Sequence, residues 1–235
     1  MSTTMNNSIQ SEELTLRRKS YVSNNSSQLS KIYNQKINIS IWQRKLDHAI
    51  VDMGKHLLNE NNKIEFSEIV EPKNSIKLLH KEFGSSNKTS ALFEDIYSLV
   101  NLFCALFDED RAWVRLDSID KPMCPRFHTD YVKCRLVTTY VGPATQWIPH
   151  DLVNRSKLGH GNQGQSDDKS GLFLEDKDIE QLDVGHVALL KGESWEDNEG
   201  GGLVHRSPHE EKGYNRLYMT IDFFETYINI FRKYS

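Results

Sequence analysis

The sequence predicts an α+β domain, and three observations carry that reading. Helix-period apolar patterns occupy the first half, the second half is a succession of short apolar runs broken by turns, and no segment repeats. Helices followed by six or more strands imply helices backing a β-sandwich or barrel. At 235 residues the chain suits one sizeable domain, or at a stretch two small ones. The net charge of −4 leaves no basic footprint, so nucleic acid is not an implied partner. Three cysteines without CxxC spacing exclude a zinc ribbon and point to reduced thiols. The first residues lack the apolar core of a secretory signal, and no apolar run approaches the roughly 18 residues needed to cross a bilayer. The expected location is the cytoplasm, with no membrane partner.

Residues 1–36 are rich in Ser, Asn, Gln and charge, and read as a mobile polar tail. A single domain is expected over 37–235, with 37–110 mainly helical support and 111–235 the β core. "INISIW" reads as a strand. Leu46, Ile50, Met53 and Leu57 recur at helical spacing behind Asp47, a candidate N-cap. "KIEFSEIV" reads as a strand and "NSIKLLHKEFG" as a short helix ending at Gly84. "KTSALFEDIYSLVNLFCALFD" carries the widest apolar stripe, with Cys104 on it as a core residue. Strands follow at "AWVRLDSI", "FHTDYVKCRLVTTYVG", "TQWI", "HVALLKG", "GLVHRS" and "RLYMTIDFF". The polar, glycine-rich "NRSKLGHGNQGQSDDKSG" reads as a surface loop.

The chemistry concentrates in "PRFHTDYVKCRLVTTYVG". Strand periodicity puts His128 and Asp130 on one face and Thr129 on the other. Two such side chains facing a core need a metal, an ion pair or another partner. A third ligand has to come from elsewhere in the fold, and His205 in "GGGLVHRSP" is the best candidate. Two imidazoles and one carboxylate on one side of a metal suit non-haem Fe(II) chemistry. HxD alone is weak, because a chain with nine histidines and 33 acids offers such pairs by chance. Arg216 follows His205 after ten residues and opens "RLYMTIDFF". An inward arginine there would be an expensive buried charge unless it met a carboxylate, of a cosubstrate or of the protein.

The order HxD, a long gap, then H-x(10)-R resembles the 2-oxoglutarate/Fe(II)-dependent dioxygenases, particularly the prolyl-hydroxylase-like branch. That resemblance spans about Trp113 to Phe224. "CPRFHTD", "TTYVGPATQWIP", "GHVALLKGESW" and "GGGLVHRSP" together resemble a domain-of-unknown-function family, number eighteen twenty-six. The dioxygenase resemblance implies a jelly-roll core, a cupin-like double-stranded β-helix. It makes His128, Asp130 and His205 the ligands of Fe(II) and Arg216 the seat of the distal carboxylate of 2-oxoglutarate. The implied reaction uses dioxygen for oxidative decarboxylation of the cosubstrate to succinate, coupled to hydroxylation of a small molecule or a protein side chain.

Other residues keep two readings each. Arg135 stands at odd spacing from His128, so an unbulged strand points it away from the metal, in a structural or a substrate role. Thr138 and Tyr140 share the face of His128 and either line the pocket or pack in the core. Trp195, in the flexible "GESWEDNEGGG", either covers a substrate or anchors its loop. Cys124 and Cys134 read as passive. His48, His56, His80, His150, His160, His186 and His209 have no partner at ligand spacing. Two rival functions remain open: a cupin-like module that binds metal without turnover, and a structural protein in which HxD is a salt bridge. In the first, Arg216 would pair with Glu193 or Asp222.

Overall fold

Alternation along the run Arg216–Phe223 divides the molecule into two sides. Leu217, Met219, Ile221 and Phe223 pack into the main apolar core, while Arg216, Thr220 and the wholly buried Asp222 face the other way. In this computed structural model, which describes residues 17–60, 63–84, 90–122, 124–208 and 215–232, the chain forms ten strands and four α-helices. The strands are β1 (Lys19–Ser23), β2 (Ile37–Trp42), β3 (Glu65–Val70), β4 (Ala112–Ile119), β5 (Cys134–Val141), β6 (Gln146–Ile148), β7 (Glu180–Gln181), β8 (Val187–Lys191), β9 (Val204–Arg206) and β10 (Arg216–Phe223). The helices are α1 (His48–Glu60), α2 (Ser75–Phe83), α3 (Ser90–Phe107) and α4 (Phe224–Arg232). The architecture is mixed α/β. A seven-stranded sheet runs β1-β2-β8-β5-β10-β4-β3, antiparallel except for the β1–β2 pair, and a smaller sheet runs β7-β6-β9.

Helix α3 lays Leu92, Phe93, Ile96, Leu99, Val100 and Phe103 against one face of the large sheet, together with Met53 and Leu57 of α1 and Leu79 of α2. The helix stops where Asp108 turns to φ 55° and the Glu109 amide reaches back to the Cys104 carbonyl, a Schellman closure. Gly84 ends α2 with φ 79°, as its position in the sequence suggests. Cys104 and Cys134 are buried in this core, whereas Cys124 is exposed. The opposite face of the large sheet packs on the small one through Ile39, Ile41, Val137, Trp147, Leu190 and Leu203. Outside the small sheet, the loop read as a surface connection breaks into short 3-10 turns. Its continuation puts Leu172 and Phe173 against Phe127, Ile148 and Val204. Among the described residues, no helix is long and apolar enough to cross a membrane.

Three expectations change. Residues 1–16, the helix start at 88–89 and His209 lie outside the described residues, but 17–36 do not behave as a tail. Strand β1 pairs with β2, and the following 3-10 helix Ser26–Tyr33 buries Leu29 and Ile32 in the main core. Two apolar residues on one side of a short turn suffice, so mean polarity was the wrong measure. The span 37–110 also supplies β2 and β3 to the large sheet and is more than helical support. Finally, β5 begins only at Cys134, with His128 in an isolated bridge and Asp130 in the irregular segment between.

The burial of the N-terminal segment has a measurable consequence. Ile32 is fully buried, so Ile32→Ala should lower unfolding stability by about 2–5 kcal/mol in a denaturant titration. Ser30→Ala, at an exposed position of the same turn, should leave the midpoint in place. Equal midpoints for both variants would show that the segment does not pack.

Candidate functional site

Backbone pairing brings the two histidines together. His128 N–H donates to the His205 carbonyl at 3.0 Å, and His205 N–H returns the bond at 3.0 Å. The rings stand side by side with centroids 4.6 Å apart. Each Nδ1 faces a carbonyl two residues back, Arg126 O at 2.9 Å and Leu203 O at 3.1 Å. A carbonyl only accepts, so both Nδ1 atoms carry hydrogen and each neutral ring keeps its lone pair on Nε2. Those Nε2 atoms converge on Asp130, His128 at 3.6 Å from Oδ1 and His205 at 3.6 Å from Oδ2. One donor atom from each of His128, Asp130 and His205 lies within 4.8 Å of the others. Burial holds the His205 pKa down at about 4, so its ring is neutral at neutral pH. His128 is also disfavoured as a cation by burial, but Asp130 and the Arg126 carbonyl outweigh that and raise its pKa. For Asp130, burial is overcome by Arg135 and the imidazoles, which hold the carboxyl well below the usual range.

The segment bearing Asp130 is clasped by the turn after β8. Glu193 N–H donates to the Asp130 carbonyl at 2.9 Å, Ser194 N–H to Val132 O at 3.1 Å, and Gly192 N–H to Lys133 O at 2.9 Å. A Cβ at Gly192 would overlap the Val132 carbonyl and come within 2.8 Å of the Asp130 carbonyl, so only glycine permits this approach. The turn is itself held through Asn198, which Arg18 fixes from the N-terminal region. Asn198 Nδ2 donates to Gly192 O at 2.9 Å, and Arg18 Nε donates to Asn198 Oδ1 at 2.9 Å.

Arg135 does not point away from the histidines. Its Nη1 pairs with Asp130, and its Nε donates to both oxygens of Asp222 at 2.8 and 3.1 Å. Arg115 Nη2 donates to Asp222 as well, at 2.7 Å. The odd-spacing argument fails because 129–133 bends between His128 and β5, which resets the parity. The same reset moves Thr138 and Tyr140 off the site. Tyr140 is buried in the main core and donates to Asp95 at 2.9 Å, and Thr138 shares its side of β5. Residues at 135, 137 and 139 face the site instead.

Arg216 is 2% exposed, and three hydroxyls orient it: Thr139 at 3.1 Å, Thr145 at 3.0 Å and Ser207 at 3.5 Å. Its guanidinium lies 4.5 Å from the Tyr218 ring centroid. The protein acids suggested as its partners are engaged elsewhere, Glu193 with Arg155 and Asp222 with Arg115 and Arg135. A cavity of about 90 Å³ is bordered by His128, His205, Arg135 and Arg216, with Cys124 on its wall. Trp195 is not there. It lines a separate acidic hollow and packs on Tyr33 and Phe107 with Lys191 over its ring, so it anchors the loop.

Sequence reading missed Arg115, Thr139, Thr145 and Ser207, and named Asp222 only as a candidate partner of Arg216. A signal existed for Arg115 and for the true place of Asp222. In "AWVRLDSI", Ala112, Val114 and Leu116 are the core side, which leaves Arg115 and Asp117 together on the other. In "RLYMTIDFF" the same alternation places Asp222 with Arg216.

No curated protein matches the chain. Among solved structures, it is similar to the dioxygenase for auxin oxidation in rice, at 7% identity over 88% of this chain and 83% of that one, with a TM-score of 0.50. It is also similar to a full-length Neurospora crassa protein solved in complex with alpha-KG and 5-formyluracil (9% identity, 95% and 87% coverage, TM-score 0.47). A third is a Pseudomonas putida prolyl-4-hydroxylase (11% identity, 84% and 97% coverage, TM-score 0.39). At such identities the likeness to the rice protein is one of fold. The family model described as "Protein of unknown function (DUF1826)" matches residues 23–222, and the chain belongs to that family.

Proposed function

We propose that this protein is an Fe(II)- and 2-oxoglutarate-dependent oxygenase that hydroxylates a substrate, with its two facing sheets forming the halves of a double-stranded β-helix. The observation that carries the reading is the convergence of His128 Nε2, His205 Nε2 and the Asp130 carboxylate beside a buried, hydroxyl-held arginine in one cavity. The fold shared with the rice dioxygenase for auxin oxidation supports it. The donor set fits a divalent metal: two imidazole lone pairs and one ionised carboxylate face a common point, and both rings are fixed by their Nδ1–H bonds. With Fe(II) and 2-oxoglutarate bound, dioxygen would be the oxidant, one oxygen atom entering succinate as CO2 is lost and the other entering a carbon–hydrogen bond of the substrate.

The chain's own residues hold and orient. His128, Asp130 and His205 would ligate the iron. Arg135 braces the Asp130 carboxylate through Oδ2. Arg216 would bind the distal carboxylate of 2-oxoglutarate by charge-assisted hydrogen bonds, with Thr139 and Thr145 fixing the plane of its fork. Val137, on the cavity wall, belongs to the apolar contact between the sheets and limits access of water.

Metal content after Fe(II) or Mn(II) loading, measured by elemental analysis, tests the centre. His128→Ala, Asp130→Ala and His205→Ala should each lose the metal, and equal content in wild type and all three variants would remove the assignment. Gly192→Ala should weaken metal binding about 10–100-fold by displacing the Asp130 segment. Arg216→Ala should keep the metal and lose roughly ten- to several-hundred-fold in 2-oxoglutarate affinity, with Arg216→Lys recovering only part. Unchanged cosubstrate binding in Arg216→Ala would instead assign the chain to the non-catalytic metal-binding modules.

A further inference from the structure

On the wall of the histidines' cavity, Arg115 Nε and Thr220 Oγ1 are out of contact with solvent and have no hydrogen-bond partner among the described residues. They are neighbours: the β4–β10 register sets Thr220 opposite Arg115, and both side chains border the cavity that His128, His205 and Arg216 share. Thr220 is 6% exposed. The Arg115 guanidinium is held in plane by Trp113, 4.2 Å from its ring centroid, and by the Nη2 bond to Asp222. An arginine fixed through Nη2, with a buried Nε–H beside a buried hydroxyl on the cavity wall, is arranged to receive something from the cavity.

Donor chemistry decides what. Arg115 Nε–H can only donate, so its partner must present an acceptor oxygen, and the guanidinium charge favours an anionic one. The cosubstrate's own carboxylates would be taken up by the metal and Arg216, which leaves the substrate to supply that oxygen. Resting on the oxygenase reading above, we propose that the substrate carries an anionic group, a carboxylate or a phosphate, that docks on Arg115 Nε–H and Thr220 Oγ–H.

The test uses the full chain loaded with Mn(II) and saturating 2-oxoglutarate, so that Arg216 is occupied. Acetate and inorganic phosphate are titrated in separate arms, with tryptophan emission as the readout because Trp113 stacks on Arg115. At least one anion should saturate, and the arm that binds tighter identifies the docking group. Arg115→Gln should weaken that binding about tenfold or more, Arg115→Lys less, and Thr220→Val several-fold. Thr220→Val is close to isosteric, so the proposal stays open to refutation if Arg115→Gln does not fold. Saturation by neither anion, or wild-type titrations in both Arg115→Gln and Thr220→Val, would overturn it. So would loss of 2-oxoglutarate binding in Arg115→Gln with retention in Arg216→Ala, which would make the pair the seat of the cosubstrate. Anion binding that depends on Arg115 in a protein that takes up no Mn(II) would retire the oxygenase reading and keep the anion site.

Discussion

Asp222 has no solvent exposure, and a carboxylate in that position is tolerable only because two guanidinium groups meet it. Removing either arginine leaves a buried charge under-compensated, which is far more costly than losing a surface pair. The consequence reaches beyond stability. Because Arg135 is pinned by Asp222, its other end is fixed where it meets Asp130, and Asp130 is in turn set between two imidazoles. The irregular segment around Asp130 thus borrows rigidity from the regular sheet. A carboxylate on an unsupported loop would lack that definition.

The strands make this arrangement possible by separating apolar from charged residues on opposite faces. On β4, β5 and β10 the helix-facing side is almost wholly apolar, and the other carries Arg115, Arg135, Thr139, Arg216, Thr220 and Asp222. So many polar groups on an inner face conflict with simple core patterning, and such conflicts concentrate where a protein does chemistry. The small sheet completes the enclosure. His205 enters from β9, whose outer neighbour Val204 packs on Phe127 and thereby holds the strand against His128.

Much of this was legible in the residues. The helices α1, α2 and α3 and most strands follow from apolar periodicity, and residue type and spacing single out His128, Asp130, His205 and Arg216. The errors have a common origin in assuming that one strand runs unbroken from His128 to Val141. The bend at 129–133 inverts which side chains share a face, and it is imposed by the Gly192 turn, some 60 residues away in sequence. Local pattern cannot report such a clasp. The strand and 3-10 turn near the N-terminus escaped for a different reason, since Leu29 and Ile32 are two apolar positions in an otherwise polar stretch. Helix α4 escaped as well, because the apolar run of β10 passes straight into it.

The bond between Arg18 and Asn198 spans 180 residues, and Asn38 reaches the Gly201 carbonyl across 163. Strand β2 likewise finds its antiparallel neighbour only in β8. During synthesis, the earliest strands therefore wait for most of the chain before the sheet can close over them. Topologies dominated by such distant pairings fold slowly and expose strand edges meanwhile. The turn that clasps Asp130 shares in that dependence, because Asn198, which holds it at the Gly192 carbonyl, is itself tied to Arg18 beside β1.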